Sequence, residues 1–172
     1  MRTKLIITAN GTDRKGIVSE ISSIIGHHNC NIETSKMVRL ENEFSMLILI
    51  EAEKTTKKSL YLDLKKIKNL KFELIETKKN NDIIYENKFH LYINGADNEG
   101  IVYQFSNYLS KMSINIEEIN TDIKNAPVSA TPLFMMDVII GSKKKINEKK
   151  IIIELNKIAE KLGVEVELKT IK

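Results

Sequence analysis

The sequence predicts an α+β fold made of two β-α-β-β-α-β units, each a four-stranded antiparallel sheet with two helices on one face. Three observations carry this expectation. Residues 4–33 align with residues 88–117 without a gap and are identical at 11 of 30 positions. Each copy runs from an apolar stretch through a glycine-containing turn into apolar residues at helical spacing. Each half then ends on alternating apolar and charged residues, Leu70 to Leu74 and Val164 to Leu168. A repeat this clear is read before any single-site motif.

In the first half, residues 5–9 read as a strand and residues 10–13 as a turn. A helix follows to about His27, with Ile17, Val18, Ile21, Ile24 and Ile25 on one face. Asp13 stands where an N-cap is expected, because its carboxylate could accept from first-turn N–H groups. Gly16 falls in that first turn, where glycine costs about 1 kcal/mol relative to alanine, so a ligand or a backbone is expected close to it. Residues 32–40 form a second strand, Glu41-Asn42-Glu43 a hairpin turn and residues 44–52 a third strand. Thr55 and Thr56 are candidate caps for a second helix with Leu60, Leu64 and Ile67 inward. Leu70, Phe72 and Leu74 mark the fourth strand. This order is the ferredoxin-like plan.

The second half repeats it. Phe89, Leu91 and Ile93 lead to a turn, with Asp97 as cap and Gly100 after it. Ile101, Val102, Phe105, Leu109 and Met112 then form the helical stripe. Strands follow from Asn115 and over residues 134–140. Asn147 caps a last helix with Ile151, Leu155, Ile158 and Leu162 inward and Gly163 at its end. The expected division is residues 1–78, a linker at 79–87 within the polar stretch 77–87, and residues 88–172. The second half carries six extra residues, within 124–132, where both prolines of the chain lie. Proline restricts the backbone, so a shaped loop is expected there and is a candidate contact surface for a partner.

Composition bounds the function. Charged residues make up 29% of the 172 and the net charge is +4, mostly lysine with acidic residues scattered throughout. That reads as a solvated surface rather than a nucleic-acid footprint. The single cysteine, Cys30, allows no intramolecular disulfide and suits a reducing, cytoplasmic compartment. No window approaches transmembrane length. The third strand is apolar on both parities, with Leu47 and Leu49 opposite Met46, Ile48 and Ile50. Such a strand expects cover on both faces, from the other unit or a second chain.

Asn-Gly-x-Asp-x-x-Gly-Ile-Val after the first strand, at 10–18 and 94–102, resembles the ACT domain. Asn31-Ile32-Glu33 and Asn115-Ile116-Glu117 fit the same pattern. The stretch 126–134 is similar to the second unit of glycine-cleavage-repressor-like proteins, which consist of two ACT domains. The resemblance implies a non-enzymatic, amino-acid-sensing regulator of transcription that acts through a protein partner and forms a homo-oligomer. Glycine is its first candidate ligand, and neither cofactor nor membrane is implied. Carried over by position, the ligand-facing residues are Asn10, Gly11, Asp13, Gly16, Ile17 and Val18, with Asn94, Gly95, Asp97, Gly100, Ile101 and Val102. An amino-acid zwitterion needs an acceptor for its ammonium and N–H donors for its carboxylate, which Asp or Asn and a helix start supply. Arg14-Lys15 against Asn98-Glu99 reverses the local charge, so the two sites need not bind alike.

Plainer readings stand beside these. Capping alone explains Asp13 and Asp97, and packing alone explains the glycines. His27, His28 and Cys30 invite a metal, but adjacent helical residues point about 100° apart, so a solvated helix end is favoured. His90 has no nucleophile beside it in any recognisable pattern, which disfavours a small enzyme. A nucleic-acid-binding module would need aromatics on the open sheet face; only Phe44, Phe134 and Tyr92 are on offer.

Overall fold

The computed structural model describes residues 2–78, 84–125 and 131–171. The chain divides into two compact units, Met1–Asn81 and Asp82–Lys172. Residues 79–83 of the expected linker and 126–130 of the proline-containing loop lie outside the description.

Unit one runs β1 (Arg2–Thr12), α1 (Ile17–His27), β2 (Asn31–Leu40), β3 (Glu43–Glu53), α2 (Thr56–Leu64) and β4 (Leu70–Thr77). Its sheet is antiparallel, in the order β2-β3-β1-β4. Unit two repeats this with β5 (Asn87–Ala96), α3 (Ile101–Lys111), β6 (Asn115–Asn125), β7 (Pro132–Ser142), α4 (Glu148–Leu162) and β8 (Val164–Thr170), its sheet ordered β6-β7-β5-β8. Two ferredoxin-like units are therefore present, as the repeat implies.

Side-chain parity places each core. Leu5, Ile7 and Ala9 of β1 and Phe44, Met46, Ile48 and Ile50 of β3 face the helices and are buried. Ile17, Ile21 and Ile25 close onto them from α1, and Leu60 and Leu64 from α2. Each such isoleucine or leucine contributes roughly 1.5–3 kcal/mol of burial. In unit two Phe89, Leu91, Ile93, Phe105, Leu109 and Leu155 hold the corresponding places. Val18 and Val102 leave the stripe and are exposed at the surface.

Three local expectations are corrected. The turn expected at 10–13 is largely strand, because β1 continues to Thr12 and pairs there with Glu43. Asp13 and Asp97 are not caps: α1 begins at Gly16 and α3 at Gly100, without a side-chain cap bond. Nor does Thr55 cap α2 with its side chain. Asn147 does cap α4, accepting from the Lys150 N–H, and Gly163 ends that helix in the left-handed region.

On the helix-free face of unit one, Leu47 is half exposed and Ile75 equally so, with Ile6 and Leu49 between them in register. The matching face of unit two carries His90, Tyr92, Asp137 and Glu167 instead. No helix among the described residues is long and apolar enough to cross a membrane.

Candidate functional site

The glycines of the repeated loop take the same backbone conformation in both units. Gly16 has φ 86° and Gly100 φ 85°, which L side chains adopt at a cost. A Cβ at either glycine would meet nothing within 4 Å. Conformation, not close approach, accounts for them. Close approach belongs to the other glycine of the motif. A Cβ on Gly11 would lie 2.0 Å from the Asn69 carbonyl oxygen, and one on Gly95 2.6 Å from Val164 Cα. These positions let β1 and β5 pass the starts of β4 and β8.

Beginning each helix at a glycine leaves its first amides open. Glu20 N–H reaches Gly16 O at 2.9 Å, and Gln104 N–H reaches Gly100 O at 2.9 Å. The N–H groups of Ile17 and Val18, and of Ile101 and Val102, come before the first intrahelical bond and have no carbonyl within the helix. The side chains of Ile17 and Ile101 are 3% and 2% exposed. They fill the core, so these two residues can meet a ligand only through the main chain.

The acidic residues serve the loops differently. Asp13 N–H bonds Asn42 O at 2.8 Å, tying the loop to the β2–β3 hairpin, and its carboxylate lies 3.6 Å from Arg39. In unit two Asn98 does the tying: its side-chain amide donates to Leu162 O at 2.8 Å, at the end of α4. Asp97 is exposed. The charge reversal after Asp13 and Asp97 thus coincides with a change of anchor. Arg14 turns back onto Glu20, while Asn98 reaches across to α4.

Beside the unit-one loop is a cavity of about 570 Å³, lined by Asn10, Gly11, Thr12, Glu43, Leu70 and Lys71 among others. Asn10 pairs in register with Ser45 on one side and Lys71 on the other, and accepts a hydrogen bond from the Ser45 hydroxyl at 2.6 Å. A carboxylate, an ammonium and an amide therefore share one cavity. Glu43 and Lys71 were not apparent in the sequence as site residues. They arrive from β3 and β4, and only strand register brings them to Asn10.

The histidines have structural partners. His28 Nε2 lies 2.8 Å from Asp63 Oδ2, linking α1 to α2, so His28 is not merely a solvated helix end. Hydrogen bonds from Lys66 and then from His28 hold the Asp63 carboxyl below the usual range. Ser59 is 3.5 Å from the other ring nitrogen, but its hydroxyl donates to Thr56 O at 3.0 Å. Among the described residues, no three His, Cys, Asp or Glu side chains are grouped to hold a metal ion. Burial raises the Cys30 thiol. Phe44 and Phe134 are buried, so neither ring is presented for base stacking.

With this geometry in view, the family match can be placed. The ACT domain family matches residues 3–74, which is unit one from β1 into β4. Unit one matches the ACT domain family over nearly its whole length. Unit two has the same strand order, and the chain is a tandem of ACT-like units. The chain is 44% identical over 46 residues to the glycine cleavage system transcriptional repressor of Escherichia coli, covering 27% of this chain and 24% of that protein. It is 41% identical over 49 residues to a UPF0237 protein of Methanopyrus kandleri, covering 28% of this chain and 54% of that protein. The matched stretch thus spans between a quarter and about half of these relatives. In fold, an unknown protein from Galdieria sulphuraria matches over the full length of both chains, with TM-score 0.84 at 24% identity. A protein provisionally named a glycine cleavage system transcriptional repressor matches with TM-score 0.70 at 22% identity, over 100% of this chain and 99% of that one. These two likenesses show a shared two-unit fold.

Proposed function

We propose that this chain is a non-enzymatic regulator that binds an amino acid at the repeated loop and passes that signal to a protein partner, in the manner of a glycine-cleavage-type transcriptional repressor. The observation that carries the reading is the unit-one cavity, where Glu43, Lys71 and Asn10 meet at the end of β1. A zwitterion presents an ammonium and a carboxylate a few bonds apart. A cavity holding one carboxylate, one ammonium and one amide complements it. The family of unit one and the 44% identity to the Escherichia coli repressor support the same reading. Glycine is the first ligand to test.

The candidate set in unit one is Asn10, Gly11, Asp13 and Gly16, with the main-chain N–H groups of Ile17 and Val18, joined by Glu43 and Lys71 of the cavity. In unit two it is Asn94, Gly95, Asp97 and Gly100, with those of Ile101 and Val102. Asn98 replaces Arg14 as the loop's neighbour, so the two sites are proposed to differ in affinity. Binding orders the loop, and the protein partner reads the ordered state. A ligand can bias such an equilibrium only by its differential affinity for the two states, on the order of 1–3 kcal/mol.

The test is a thermal-shift screen of the proteinogenic amino acids against the full chain. A ligand that binds only the folded state raises its melting temperature in a concentration-dependent way. Glycine or another small amino acid should do so, and Lys71→Gln should reduce the shift at a given ligand concentration. If no amino acid shifts the transition at millimolar concentration, the sensor reading fails.

A further inference from the structure

A second cavity in unit one lies at the other end of the sheet. Arg2 pairs with Glu53 and Thr12 with Glu43, so the end of β3 that leads into α2 is remote from the Asn10 loop. There, between α2 and the edge strand β4, is a cavity of about 680 Å³. Lys54, Lys57 and Lys58 line one part of it, and Tyr61, Leu74 and Ile75 supply an aromatic and aliphatic wall.

Its charge is not balanced from within. Lys54 reaches Glu76 only at 4.0 Å. No carboxylate among the described residues lies within ion-pair distance of Lys57 or Lys58. Glu73 is the one acidic residue in the lining, against three lysines. The lysines do not serve the helix either. Lys57 and Lys58 fall in the first turn of α2, where cations oppose the macrodipole and no acidic residue offsets them. Tyr61 and Leu74, both packed against the core, add apolar surface that solvated lysines alone would not require.

The internal repeat supplies a control. Where α4 begins, unit two has a cavity of about 770 Å³ lined by Lys145, Ile146, Asn147, Glu148, Lys149 and Ile152. There Asn147 caps the helix and Glu148 stands in its first turn, accepting a hydrogen bond from Thr170 at 3.2 Å. The lining has no aromatic residue and its charge is more nearly offset. The same position in the fold therefore has a side-chain cap and a first-turn carboxylate in unit two and neither in unit one.

We propose that the Lys54–Lys57–Lys58 cavity binds a small dianion carried on an apolar or aromatic body, the chemistry shared by phosphate monoesters and aromatic dicarboxylates. Lysines supply charge-assisted donors to the dianionic head. Tyr61 and Leu74 take the body, as mixed cavities of this size commonly do.

The test titrates phenyl phosphate, benzylsuccinate and inorganic phosphate into the full chain, followed by two-dimensional amide NMR. Saturable shifts are expected for phenyl phosphate or benzylsuccinate at residues 55–61 and at Leu74 and Ile75. Whichever binds more tightly names the source of the dianion. Inorganic phosphate, lacking the body, should bind the same residues at least about tenfold more weakly. Lys57→Gln with Lys58→Gln should weaken binding about tenfold or more while keeping native signal dispersion, and Lys145→Gln with Lys149→Gln should change nothing. Three results would overturn the proposal: no saturable shift below ~10 mM, shifts spread equally over the lysines of both units, or unchanged affinity in the folded Lys57/Lys58 variant.

Discussion

Replacing Gly11 and Gly16 one at a time with alanine separates the two reasons a glycine occurs in the repeated motif. At Gly16 the cost is conformational. Alanine at φ 86° carries roughly 1–2 kcal/mol of left-handed strain. A Cβ there has open space, and the stiffer unfolded chain returns up to about 1 kcal/mol. The net loss is about 1 kcal/mol. At Gly11 the cost is steric. The new Cβ would sit 2.0 Å from the Asn69 carbonyl oxygen and 3.0 Å from the Leu70 side chain. The first of these is backbone, so β1 and β4 must part where Gly11 faces Leu70. Overpacking of this kind costs about 3 kcal/mol, the upper part of its usual range. For a domain of this size each kilocalorie moves the melting temperature by about 4–8 °C. Gly11→Ala should therefore lower the transition of unit one by about 15 °C, and Gly16→Ala by about 5 °C. Calorimetry with amide NMR assigns each transition to its unit, since two units need not melt together. Equal losses, or a larger loss at Gly16, would refute this division of roles.

Three further outcomes follow from the same geometry. Asn147→Ala should cost unit two about 1 kcal/mol by chemical denaturation, whereas Thr55→Ala should leave unit one within about 0.3 kcal/mol, because only the first side chain caps its helix. Asp63 is held below the usual carboxylate range by Lys66 and His28, so its contribution is present above an unfolded pKa of about 4 and lost as pH falls through the lower folded value. The stability gap between wild type and Asp63→Asn should accordingly be widest above about pH 5 and narrow as pH falls through the lowered folded value. Tyr85 donates to Glu117 and accepts from Asn115, and its ring covers Gly141. Tyr85→Phe should cost unit two about 1 kcal/mol in denaturant titration, and a neutral result would show that these bonds are replaced by water.

Much of the fold was legible because burial follows period. Ile17, Ile21 and Ile25 at helical spacing, and Phe44, Met46, Ile48 and Ile50 at every second residue, could belong to few other structures. Asn147 and Gly163 announced the ends of α4 through local chemistry alone. The N-termini of α1 and α3 were misread because Asp13 and Asp97 have the right residue type in nearly the right place. Both lie between strand and helix: in unit one the Asp13 N–H is held by Asn42, in unit two the Asn98 N–H bonds Ala96 O around Asp97, and the helices start only after Gly16 and Gly100. Close approach was expected at Gly16 rather than at Gly11 for a similar reason. Close approach at Gly11 depends on Asn69, which lies 58 residues away in sequence. The site was legible as a loop but not as a cavity. Asn10 and Gly11 carry a repeated motif, whereas Glu43 and Lys71 have no local signature and join it through the registers β1–β3 and β1–β4. Asn98 was read as a charge difference, and its bond to the end of α4 could not be inferred from spacing.

The central claim is amino-acid binding at the repeated loop, and calorimetric titration tests it most directly. Glycine, and then the other amino acids, are titrated into the wild-type chain and into Asp13→Ala, Asp97→Ala and Lys71→Gln, with circular dichroism confirming that each is folded. The account predicts saturable binding to wild type, a loss of about tenfold in affinity in Lys71→Gln, and weaker binding in at least one Asp variant. Identical affinity in all four proteins, or no heat of binding from any amino acid at millimolar concentration, would contradict it.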